Sequence, residues 1–171
     1  MKLRLAIIII VLLVSAVGSA QTVRKDIPMS RLRAIISLPL DQAIEKREIY
    51  KAPLKSAYER QMAISDKDCE AEKEHQQSYN ICMRQAEVRA DHDFAIFYNN
   101  LQLLCHDEDQ LRTMQGSEKA WQVYQDTIDK AAHAAWPDGS GAPGFASQVH
   151  LLLVRNRMRE LHTIYGLNIA Q

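Results

Sequence analysis

Tyr79, Met83, Ala86, Ala90, Phe94, Phe97, Leu101 and Leu104 recur at steps of three and four. At 3.6 residues per turn this spacing lays them on one stripe of a single helix, from about His75 to Cys105. A helix of roughly 30 residues is about 45 Å long. It has to bury that stripe along its whole length, so helices of similar length must lie against it. The chain supplies them. Leu151, Val154, Met158, Leu161 and Tyr165 step 3, 4, 3, 4, the spacing of a packing seam, on a helix from about Ala146 to Tyr165 with Gly166 as its stop. Between these two, Ser117 opens a segment in which Trp121, Tyr124, Ile128 and Ala131 or Ala132 share a face. No sustained apolar/polar alternation appears, and no Asn-Gly or Asp-Gly hairpin lies between β-branched runs. The fold class is therefore all-α. Short connections make it an up-and-down helical bundle with one long central helix.

The N-terminal third reads as extra short helices punctuated by Pro28, Pro39 and Pro53. Asp41 is a candidate N-cap, Pro53 a stop or restart, and Met62 and Ile64 end the region. Ahead of it stands a different kind of segment. Lys2 and Arg4 precede an unbroken apolar run from Leu5 to Val14, and Gly18-Ser19-Ala20 follows with small residues. This is the pattern of a secretory leader cut after Ala20, too short to span a ~30 Å hydrocarbon layer comfortably. The expected organisation is a leader over 1–20, a helical extension over 21–66 and a helical domain over 67–171. The expected location is periplasmic or secreted, with no stable membrane insertion once the leader is removed.

Charge excludes some functions. The 21 basic and 21 acidic residues balance, and removing Lys2 and Arg4 with the leader gives −2. That is not a nucleic-acid binder's balance. Three cysteines in an exported chain leave at least one thiol unpaired. Cys69 and Cys82 are the preferred disulfide. On one straight helix they would stand about 20 Å apart, so a bridge needs the chain to fold back between them, with the long helix starting near His75. The alternative is that all three thiols are reduced or buried. Cys105 is then left over, a thiol that cross-links a dimer if it is exposed.

Several segments carry a family likeness. They are Cys69, Tyr79-Asn80-Ile81-Cys82, Ala90-Asp91, Tyr98, Ala120-Trp121-Gln122-Val123-Tyr124-Gln125-Asp126, the glycine-rich loop after Trp136, and Arg157-Met158-Arg159-Glu160-Leu161. In this order they resemble the LprI-like lysozyme-inhibitor family of small exported bacterial proteins, over about residues 69–165. The pattern differs from that family in two ways. Gln125 stands where the family has Arg, and the family's second cysteine pair would fall at Asp129 and Val149. The resemblance implies a protein that binds a lysozyme-type peptidoglycan hydrolase and blocks its cleft. A periplasmic immunity protein that neutralises an exported toxin, or a non-enzymatic structural protein of the envelope, would use the same kind of chain.

The loop Pro137 to Gly144 is the preferred contact surface. Asp138, Gly139, Ser140 and Gly141 would meet the partner, because glycines let a backbone approach closely. Trp121 and Tyr124 are expected in the core, and Asp126 is expected to pair with Arg155 or Arg159 and hold two helices in register. The histidines His75, His92, His106, His133, His150 and His162 are scattered, with no His-Glu-x-x-His and no Cys-x-x-Cys. No nucleophile elbow and no phosphate-cradling loop is present. The expectation is no metal, no cofactor and no catalytic residue.

Overall fold

A computed structural model describes residues 24–63 and 69–170. The expected leader lies outside them. Among the described residues there are five α-helices and no strand: α1 (Met29–Ile36), α2 (Leu40–Ala63), α3 (Gln76–Leu101), α4 (Glu108–Ala135) and α5 (Ala142–Ala170). The all-α class is therefore correct. None of these helices is long and apolar enough to cross a membrane.

Side-chain pairs fix the topology. Arg60 meets Asp93 while Arg47 reaches the Cys105 carbonyl, so α2 and α3 are antiparallel. Gln125 meets His150 while Asn168 donates to Gln110, so α4 and α5 are antiparallel. Ser147 meets Glu87 and His150 meets Asp91, so α3 and α5 run parallel. The four long helices thus go up, down, up and down. The central stripe is buried from Met83 to Leu104, with Tyr79 half-buried at its start. Leu151, Val154, Met158, Leu161 and Tyr165 face it from α5. Each fully buried large apolar side chain contributes about 1.5–3 kcal/mol. Phe94 anchors the centre, edge-on to Trp121 at 5.5 Å.

Four boundaries differ from those expected. The third segment does not open at Ser117. The α4 helix begins at Glu108, capped by Asp107, whose carboxylate accepts from the Gln110 N–H at 2.7 Å. Gly116 and Ser117 lie inside it, because a helix glycine costs only about 1 kcal/mol and packing outweighs that. Pro53 does not end a helix but sits within α2, where it leaves the carbonyl of exposed Ile49 to water. The last helix passes Gly166 and runs to Ala170, burying Asn168 and Ile169. It also starts early. Pro143 and Gly144 belong to α5 and not to the loop.

The N-terminal extension is not a separate layer. Ile27, Leu32, Ile35, Leu54 and Ala57 belong to one core with α3, α4 and α5. Residues 24–28 form an extended strap across α3 and α4. Ile27 N–H donates to Gln102, Gln115 donates to the Ile27 carbonyl, and Gln102 donates to the Lys25 carbonyl, at 2.8–3.0 Å. Arg24 lies over the Phe94 ring at 4.8 Å and the Trp121 ring at 5.1 Å, and pairs with buried Glu118 at 3.0 Å. Glu118 is also held by Arg157 at 3.3 Å. Burial pushes the Glu118 carboxyl above its ordinary range, against the pull of the two guanidiniums.

Cys69 and Cys82 stand at disulfide distance, Cα to Cα 5.8 Å. The chain folds back between them as the spacing required. A short 3₁₀ turn over Glu70–Glu72 follows Cys69, which takes a left-handed φ of 62°, and the long helix begins at Gln76. Cys105 is fully buried, and burial pushes its thiol up to about 12. A dimer cross-link through it is closed off in the folded chain.

Candidate functional site

The loop end of the bundle gathers the candidate residues. The α4 helix stops at Ala135, and the connection to α5 is only Trp136 to Gly141. Trp136 through Ser140 are exposed. The base of the loop is held firmly. Asn80 of α3 donates to the Ser140 carbonyl at 2.6 Å, Ala142 N–H donates to the Gly139 carbonyl at 3.3 Å, and Phe145 N–H to that of Gly141 at 3.0 Å. Gly139 has a φ of +118°, a conformation that favours glycine. The Trp136 ring lies against both Gly139 and Gly141 and packs on Phe145 at 5.7 Å. Asp138 and Ser140 are thus carried on a short, tethered, projecting turn, with Gly139 and Gly141 giving it its shape.

Just below the loop, α3, α4 and α5 border an open cavity of about 220 Å³, lined by Arg84, Glu87, Asp129, His133, Ser147 and His150 with Pro143 and Ala146. His150 is its centre, with only 15% of its side chain exposed. Its Nε2 lies 3.0 Å from Asp91 Oδ1 and its Nδ1 lies 3.1 Å from Asp129 Oδ2. The Gln125 amide sits 3.3 Å from both ring nitrogens. Burial works to lower the imidazole pKa, but the two carboxylates outweigh it and raise it to about 9. Glu87 is buried beside them, accepting from Ser147 Oγ at 2.6 Å and from Arg84. Asp129 Oδ1 is buried without a hydrogen-bond partner among the described residues.

Glu87, Asp91 and His150 each offer one ligand atom, and these three atoms lie within 4.8 Å of one another. This set was missed in the sequence. His150 stands about sixty residues from Glu87 and Asp91, and no local spacing links it to them. The one local trace was Glu87 and Asp91 at i and i+4 on α3, the same helix face.

The remaining expectations divide. Trp121 packs against the core as expected. Tyr124 does not: it is exposed, and Gln125 is the buried neighbour. Steps of four in either direction from Trp121 reach Ser117 and Gln125, which face inward, while Tyr124 falls on the outer side. Asp126 is also exposed, and among the described residues it is not seen paired with Arg155 or Arg159. Arg159 bonds Asn156 instead, and buried Arg155 lies 3.5 Å from Gln61 of α2. A buried cross-helix ion pair that ties α4 to α5 is Glu118 with Arg157. Asp129 of α4 and His150 of α5 join the same two helices.

A second concavity lies far from the loop. The groove between α1 and α2, about 740 Å³, is lined by Ala34, Ile35, Leu38, Ile49 and Tyr50 with Arg31 and Lys46 at its rim. Exposed Leu40, Ile44 and Ile49 continue this apolar surface along α2. Gln42 and Glu45 line it as well, so the groove mixes apolar and charged groups.

Compared with family models, with curated proteins and with solved structures, the chain matches none.

Proposed function

We propose that this protein is an exported, non-enzymatic binding protein that occludes the cleft of a lysozyme-type peptidoglycan hydrolase with the turn Trp136 to Gly141. The observation that supports this reading is the tethering of the turn. Its tip is exposed, while Asn80, Trp136 and the first turn of α5 hold its base. A loop fixed before binding loses little conformational freedom on docking, which favours affinity. Asp138 and Ser140 present a carboxylate and a hydroxyl, and the glycines keep the profile narrow. The choice of a lysozyme-type client comes from the resemblance over residues 69–165.

The test is a titration of the purified protein into a lysozyme cell-wall turbidity assay, with binding followed in parallel. Saturable inhibition near one-to-one, weakened at least tenfold by Asp138→Ala with Ser140→Ala, is the expected result. Inactivity without binding rejects lysozyme as the client. The immunity reading draws on the apolar surface of α1 and α2, which lies outside the resemblance. It predicts that Leu40→Asp with Ile44→Asp abolishes capture of a toxin while the loop variants leave it intact.

A further inference from the structure

We propose that Glu87, Asp91 and His150 form a binding site for one divalent ion of the zinc class, with Asp129 as the carboxylate that orients the imidazole. The donor set is two carboxylate oxygens and one imidazole nitrogen, all within 4.8 Å. Zinc takes such ligands at about 2.0–2.2 Å, which in a tetrahedral arrangement places two ligand atoms about 3.4 Å apart. Asp91 Oδ1 and His150 Nε2 are 3.0 Å apart. For this pair a shift of a few tenths of an ångström is enough, and the Glu87 oxygen, within 4.8 Å of the other two, closes on the ion, which takes the place of the proton on Nε2.

The outer partners are already arranged. Asp129 Oδ2 lies 3.1 Å from Nδ1 and holds Nδ1–H, so the nitrogen that gives up its proton to the ion is Nε2, the one that faces Asp91. A carboxylate behind a ligating histidine fixes its tautomer and raises its basicity. Ser147 and Arg84 hold Glu87. All four side chains stand on long helices, which hold ligands more accurately than loops do. Charge points the same way. Once the Nε2 proton is displaced, three carboxylates face a neutral imidazole and one guanidinium, and a dication cancels the remaining two negative charges. The imidazole argues against calcium and magnesium, which prefer all-oxygen shells. Three protein ligands leave a fourth position open to water from the cavity. The proposal is independent of any protein client. A bound ion would join α3 and α5 directly and α4 through Asp129, immediately below the projecting turn.

The test uses the purified chain stripped with a chelator and titrated with zinc chloride, by calorimetry and by thermal melting. One ion per chain is expected, with a melting temperature raised by about 5–10 °C at a hundredfold excess over Kd. Glu87→Gln and Asp91→Asn remove this step. Asp129→Asn weakens it 10- to 100-fold. His92→Ala, on the outer surface, leaves it unchanged. Nitrogen-15 NMR of histidine-labelled wild type keeps the proposal testable if a variant does not fold. Zinc must move the Nε2 resonance of one of the six histidines and leave the other five in place. No binding up to about 1 mM zinc, shifts spread over several histidines, or binding that survives Glu87→Gln and Asp91→Asn each overturns the site and leaves a structural ion-pair cluster only.

Discussion

At the scale of single residues, His150 decides most. Its imidazole is raised to about 9 in the folded, metal-free chain, while an unfolded histidine titrates near 6.5. A raised folded value means that the stabilising charge is fully present below about pH 6.5 and is lost as pH climbs through about 9. Asp91, Asp129, Glu87, Arg84, His133 and Gln125 are the groups that face it. Asp91 is 43% exposed, so solvent screening limits the effect to about 1–2 kcal/mol. Urea unfolding of wild type and His150→Gln with chelator present should show the gap between them narrow from pH 6 to pH 9.5. A constant gap would mean that the carboxylates do not hold the imidazole charged. Gly144 is the other sensitive position. A Cβ there would stand 2.5 Å from Asn80 Oδ1 and 3.0 Å from the Tyr79 ring. Asn80 also tethers the turn through Ser140, so it cannot move away freely. Gly144→Ala should cost about 1–3 kcal/mol by chemical denaturation, and should loosen the turn as well.

At the scale of elements, what was legible follows from locality. The stripes of α3 and α5 could be read because their periodicity is written in consecutive residues, and burial follows it from Met83 to Leu104 and from Leu151 to Tyr165. The projecting turn could be read because Pro137, Gly139 and Gly141 crowd three helix breakers into five residues. Boundaries were harder. Gly116, Pro53 and Gly166 are breakers by propensity, yet each lies within a helix, because tertiary burial on either side outweighs a local cost of about 1–3 kcal/mol. The polar cluster was illegible for a different reason. Residues 87, 91, 129 and 150 meet only when three helices are packed, and no short spacing announces such a meeting. The fold-back between Cys69 and Cys82 is the element whose energetics can be stated. Closing a loop of sequence separation 13 contributes about 3 kcal/mol on the chain-entropy model. Replacing both cysteines by alanine should lower the urea midpoint accordingly and leave the α3 helix intact by circular dichroism. Loss of all helical signal would instead show that the bridge is needed to form the bundle.

At the scale of the whole molecule, the bundle is closed by its N-terminal strap and not by its longest helices alone. Gln102 and Gln115 are both buried, and their amides are satisfied largely by the backbone of Lys25 and Ile27. Glu118 is buried between Arg24 and Arg157, and Tyr98 donates its hydroxyl to Asp26 at 3.2 Å. A protein that begins at Met29 would keep all five helices. It would lose the Ile27 side chain from the core, worth about 1.5–3 kcal/mol. It would also leave Gln102 and Gln115 short of partners, at about 1–3 kcal/mol for each buried group that water cannot reach. The sum is comparable to the 5–15 kcal/mol that holds a typical domain together. The truncated chain should therefore unfold at a much lower guanidinium concentration, or lose a cooperative transition, although every helix is still encoded. Arg24→Ala in the full chain separates the ionic part from the rest. It leaves Glu118 with Arg157 alone and should cost less than the truncation. Equal midpoints for wild type and the truncated chain would show that the strap merely lies on the bundle. A large drop for the truncation with a small one for Arg24→Ala would assign the closure to Ile27 and the two glutamines, and would make residues 24–28 as much a part of the core as the central stripe.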